Sequence, residues 1–128
     1  MEIKIAQQTK YEIIFTAVKC GNDLSVTITG GTKAHVGAVA LACGVMPDGS
    51  KPKYSATVSA MVVMDHKDDV VARKVAGMLA DALQANVTVT AGIHVDDATV
   101  EELKILQENV LEACKQYLTQ SGYKLRLS

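Results

Sequence analysis

The chain has 128 residues, 48% of them hydrophobic, which is enough to bury a sizeable core in one domain without disulfide or metal staples. Its 13 Lys+Arg almost cancel its 14 Asp+Glu, so a broad basic face for nucleic acid or anionic lipid is excluded. With 4% aromatics, no Trp and Phe15 as the single Phe, base-stacking platforms are excluded as well.

The N-terminal run Met1 to Gln8 carries no apolar signal core, and no stretch approaches the ~18 apolar residues of a membrane span, so a soluble cytoplasmic protein is expected. Tyr11 to Cys20 is rich in Ile, Phe, Thr and Val; Gly21-Asn22-Asp23 supplies turn chemistry, and Leu24 to Thr29 resumes the alternation, which predicts a hairpin. Gly30-Gly31 breaks it. A third strand is expected from about His35 to Val45, where Gly37, Ala38, Ala40 and Ala42 are small enough to lie under a helix or beside a bound group. Pro47 to Pro52 reads as a surface loop, and Ala56 to Met64 as a fourth strand.

From Asp68 to Gln84 the period changes: Val71, Val75, Met78, Leu79 and Leu83 share one side of a helical wheel. Asn86 to His94 is again strand-like, and Thr99 with Glu102 has the spacing of a capping box that opens a second helix. Leu103, Leu106, Val110, Cys114, Tyr117 and Leu118 form its stripe, Ile105 falls off it, and Gly122 marks its end. Lys124 to Ser128 suits a tail or an edge strand. The order predicts a single α+β domain over residues 1–128: a mostly antiparallel sheet of about five or six strands with two helices on one face, and room for one parallel pairing. Cys20, Cys43 and Cys114 form neither a disulfide framework nor a zinc ribbon and are expected reduced and packed, and the scattered methionines, Met61 among them, as gap-fillers.

Polar chemistry collects in three segments at strand ends: Gly30 to Gly37, Met64 to Asp69 and Ala91 to Asp97, which together hold all three histidines. Convergence of these loops would offer an anion the N–H groups of Gly30 and Gly31, the ammonium of Lys33 or Lys67, and imidazoles. The plainer readings stand beside this: Gly30-Gly31 as a tight turn, and Asp68 and Asp69 as helix caps. Asp96 or Asp97, with Thr99 free to cap the second helix, could orient His94. His35, His66 and His94 meet the ligand count of a catalytic zinc, an alternative that would make a small metal-dependent hydrolase, but no two of them share a short ligand-pair spacing. Nucleotide-loop and nucleophile-elbow motifs are absent, and Cys43 has no sequence feature that would activate it.

Three blocks in this order, GGTKAHVGAVA at Gly30 to Ala40, HKDD at His66 to Asp69 and TAGIHVDDAT at Thr90 to Thr99, resemble the signature of the prenylated-flavin chaperone family, which includes the LpdD-type small subunit of gallate and hydroxybenzoate decarboxylases. The resemblance spans most of the chain and implies a fold like that of proteasome assembly chaperones. It implies a non-catalytic protein that holds prenylated FMN made by a flavin prenyltransferase, with FMN as a second candidate ligand, and delivers the prenylated flavin to a UbiD-type decarboxylase. The site so implied comprises Gly30, Gly31, Lys33, His35, Gly37, His66, Lys67, Gly92, His94 and Asp96, with the phosphate near Gly31, Lys33 and Lys67 and the ring system near Gly37. A pure assembly chaperone is a further alternative. A homodimer is the expected oligomer, with Ile105 a candidate contact.

Overall fold

The computed structural model describes residues 1–52, 57–63 and 68–122. In chain order the elements are β1 (Glu2–Ile5), β2 (Ile13–Cys20), β3 (Asp23–Gly31), β4 (Ala38–Cys43), β5 (Thr57–Val62), α1 (Asp69–Leu83), β6 (Asn86–His94) and α2 (Val100–Gln120). The strands form one sheet in the order β1-β2-β3-β6-β4-β5. All neighbours are antiparallel except β3 and β6, whose connection runs through α1. This is the α+β class expected from the sequence.

Alternation along the strands decides which face meets the helices. Ile13, Phe15 and Ala17 of β2, Leu24, Val26 and Ile28 of β3, Val87, Val89 and Ala91 of β6, and Ala38, Ala40 and Ala42 of β4 are buried in one core. α2 lies over β1 and β2, with the Tyr117 ring centroid 5.4 Å from that of Phe15. α1 lies over β4, β5 and β6, its Ala72, Val75, Ala76, Leu79 and Ala80 buried. The alanines of β4 thus serve the nearer of the two uses foreseen for small residues: they let α1 approach the sheet closely.

Several expectations shift. β1 was not legible as a strand; Ile3 opposite Phe15 anchors it. β4 begins at Ala38 rather than His35, because residues 32–37 turn away from the sheet to cross the end of β6. Ala56 and Met64, the ends of the expected fourth strand, and Lys124 to Ser128 lie outside the described residues. Only Cys114 of the three cysteines is packed; burial pushes its thiol up to about 12, while Cys20 and Cys43 are exposed. Met61 is no gap-filler, being 81% exposed. Leu103, expected on the buried stripe of α2, is half exposed.

The capping box of α2 is present, with Thr99 Oγ1 accepting from the Glu102 N–H and Glu102 Oε1 accepting from the Thr99 N–H. Glu102 also receives the Lys10 ammonium at 2.6 Å and the Tyr11 hydroxyl at 2.9 Å, tying the β1–β2 connection to the helix start. The bond from Lys10, reinforced by those from Thr99 and Tyr11, holds its carboxyl down at about 2.

Candidate ligand cleft

The parallel register of β3 and β6 sets Gly31 opposite His94. Beyond this point the chain folds back over β6: the Thr32 N–H and hydroxyl both donate to the His94 carbonyl (2.8 and 3.2 Å), and the Gly37 N–H donates to the Ala91 carbonyl at 2.9 Å. The crossing needs bare backbone. A Cβ on Gly92 would overlap the His35 carbonyl oxygen, and one on Gly37 would overlap the Asp68 carboxylate. These glycines of the sequence signature therefore serve close approach between segments.

Folding the segment back seats His35 against Asp68. Its Nε2 lies 3.0 Å from Asp68 Oδ2 and its Nδ1 3.1 Å from the Lys33 carbonyl oxygen. Asp68 is buried, and its Oδ1 accepts from the Ile93 N–H at 3.0 Å. The expectation that Asp68 caps α1 is corrected: it occupies the cap position with helical backbone angles, but its carboxylate makes no cap bond and joins the His35 segment to β6 instead. Asp69 keeps the helix-start role, in the first turn and 3.8 Å from Arg73 Nε.

His94 lies alongside, its ring edge-on to that of His35 with centroids 6.3 Å apart. Asp96 Oδ1 sits 2.7 Å from His94 Nε2, so a carboxylate two residues on fixes the imidazole. His35, Gly37, Gly92, His94 and Asp96 are thus brought together. His66 and Lys67 lie outside the described residues. Gly30 and Gly31 are sheet residues, and the Gly31 N–H is engaged by the Glu12 carbonyl at 2.9 Å, so the expected phosphate donor is already occupied. The Lys33 N–H is turned to the His94 carbonyl at 3.4 Å. At Gly37, where the ring system was expected, the Cβ direction faces the Asp68 carboxylate. As for a metal, both His35 nitrogens are engaged by oxygen atoms, and among the described residues no group of three His, Cys, Asp or Glu is placed to hold one. No helix among them is long and apolar enough to cross a membrane.

His94 also borders open space. A cleft of about 380 Å³ is bounded by Asp68, Val70 and Val71 of the α1 start, Ile93, His94 and Val95 at the end of β6, and Leu103, Leu106, Gln107 and Val110 of α2. It adjoins a furrow of about 70 Å³ between the helices, lined also by Lys74, Val75 and Leu111. The larger volume falls in the range of small-molecule sites, ~300–1,000 Å³, and its walls have the usual character of mostly apolar side chains with a few polar groups. Sequence reasoning missed these walls. The half-exposed Leu103 and Val70, apolar on helices yet turned out of the core, are what mark them.

The match to known proteins falls on this framework. The family described as prenylated flavin chaperone LpdD-like domain matches residues 7–122, which takes in the fold-back segment, all three histidines and every wall of the cleft. The chain belongs to this family. The LpdD-like chain is 29% identical over 99 residues to Protein LpdD of Lactiplantibacillus plantarum, covering 76% of this chain and 68% of that protein. In fold it is similar to a chain from the crystal structure of a novel chaperone complex for yeast 20S proteasome assembly, with TM-score 0.58, 15% identity, and coverage of 94% of this chain and 95% of that one. Family membership supports a chaperone role.

Proposed function

We propose that the LpdD-like chain binds prenylated FMN in the α1–α2 cleft and passes it, chemically unchanged, from a flavin prenyltransferase to a UbiD-type decarboxylase. The observation that carries this reading is the cleft: a mostly apolar space bordered by the oriented His94 imidazole and by the start of α1, where the Asp68 side chain makes no cap bond. Prenylated FMN is a fused ring system, apolar at its methylated and prenyl-derived part and polar at its pyrimidine edge, joined through a polyol chain to a phosphate. Val70, Val71, Leu103, Leu106 and Val110 would cover the rings and keep water from them. The first-turn N–H groups of α1, which Asp68 leaves uncapped, and the His94 imidazole suit the anionic end. When bound, the flavin supplies the chemistry used later by the decarboxylase; this chain's part is to hold and release it. A cleft open along one side between two helices allows release without unfolding, and the near-neutral net charge of −1 adds no strong field to oppose transfer.

The test is co-production of this chain with a flavin prenyltransferase, followed by absorbance and mass spectrometry of the purified protein. Recovery of prenylated FMN in preference to FMN supports the reading. A flavin-free protein that also fails to take up added prenylated FMN overturns it.

A further inference from the structure

The sheet face away from the helices carries a second feature, independent of the cleft. Strand register lines its side chains into continuous rows: Thr16, Thr27, Thr90, Val39 and Met61 in one, and Val18, Ser25, Thr88, Leu41 and Ser59 in the next. Ile14 and Thr29 begin a third. From β2 to β5 these rows contain no charged side chain, in a chain that is 21% charged. Among the described strand residues, the charges that do lie on this side are at the rim: Glu2 and Lys4 on β1, 3.8 Å from each other, and Asp23, whose carboxylate accepts from the Asn86 N–H. Open faces of antiparallel sheets are ordinarily polar. Here Met61 is 81% exposed, Val18 59%, Leu41 45% and Val39 41%. A patch depleted of charge and rimmed by polar groups is the composition of an interface core.

We propose that this face packs against the same face of a second copy of the chain, forming a homodimer by sheet-on-sheet contact. The chemistry is self-complementary: threonine and serine hydroxyls both donate and accept, so rows of them can pair with their own kind, whereas a partner recognised by charge would find nothing to pair with. The size agrees. Five strands at ~4.8 Å spacing and three rows at two residues of ~3.4 Å each give a footprint of about 24 by 20 Å. Two such faces, with their corrugation and the β1 rim, reach the ~1,000 Å² or more that a specific interface buries. Two sheets stacked ~10 Å apart would also leave both helical layers, and so both clefts, facing outward. The contact is placed on the sheet and not at Ile105 of α2, which is half-buried within its own chain.

Sedimentation equilibrium of the full chain tests this, with Met61→Glu, Leu41→Lys and, on α2, Leu103→Lys as variants. The expected result is a mass twice 13.6 kDa for the wild type and for Leu103→Lys, and at least a hundredfold weaker association for the two sheet variants. Met61 is exposed enough that a glutamate there leaves the fold intact, and a circular dichroism spectrum matching wild type checks this. A monomeric wild type at ~100 μM, or sheet variants that remain dimers, would overturn the proposal.

Discussion

Replacing Asp68 with alanine removes a buried carboxylate that serves two segments at once, receiving the Ile93 N–H and facing His35 Nε2, each at 3.0 Å. Hydrogen bonds to a charged group contribute about 1.5–3 kcal/mol each, and truncating one member of a buried hydrogen-bonded pair costs about 3–5 kcal/mol. Since the whole domain is stable by only about 5–15 kcal/mol, such a loss is a large part of the total. For a chain of this size 1 kcal/mol corresponds to roughly 3–5 °C, so Asp68→Ala should lower the unfolding midpoint by about 10–25 °C. Asp68→Asn keeps an oxygen for the Ile93 N–H and should lose about half as much. Thermal and urea unfolding give the free energies, and hydrogen exchange at the Ile93 amide shows whether the damage is local. A capping role would instead confine the loss to about 1 kcal/mol, with the Ile93 amide still protected. That outcome would refute the assignment of Asp68 as the link between the His35 segment and β6.

Glu102 gives a pH signature. Its carboxyl falls from an ordinary 4.5 to about 2 in the folded chain, so its contribution is fully present above about 4.5 and is lost as pH falls through about 2. The difference in unfolding midpoint between wild type and Glu102→Gln should therefore be largest above about 4.5 and vanish near 2; a difference independent of pH would contradict the Lys10–Glu102 bond as its source. Gly92→Ala pushes a Cβ onto the His35 backbone and should destabilise by about 3 kcal/mol or prevent folding, read by thermal unfolding and by the ring resonances of His35 and His94. His94→Ala should weaken flavin binding more than His66→Ala does in parallel titrations; equal affinities for wild type and both variants would dismiss the site assignment.

Local rules made much of the fold legible. The change from a period of two to a helical period separated β2 and β3 from α1, and Thr99 with Glu102 marked the start of α2 because a capping box is a contact between near neighbours. β1 escaped because four residues, with Ile3 and Ile5 alternating against Glu2 and Lys4, carry little periodic signal; its identity comes from pairing with β2. Asp68 was misread for the opposite reason. An aspartate before a helix satisfies the local rule for a cap, and only the fold brings His35 and Ile93 to its carboxylate. Gly37 and Gly92 were found, but as residues beside a bound flavin instead of points of close approach between segments, since what a Cβ would strike depends on segments far away in sequence. The cleft was least legible of all. Its walls come from α1, β6 and α2, and Leu103 and Leu106 look alike on a helical wheel although one is half exposed and the other buried.

Titration of the purified chain with prenylated FMN, followed by the flavin spectrum, tests most directly whether the α1–α2 cleft is the seat of a prenylated flavin. Saturable binding of one flavin per chain with a Kd of about 10 μM or tighter, weakened at least about tenfold by His94→Ala and by Leu103→Asp in the cleft wall, is the expected result. A folded wild type whose addition leaves the spectrum unchanged at about 100 μM, or binding unaltered by both substitutions, would contradict it.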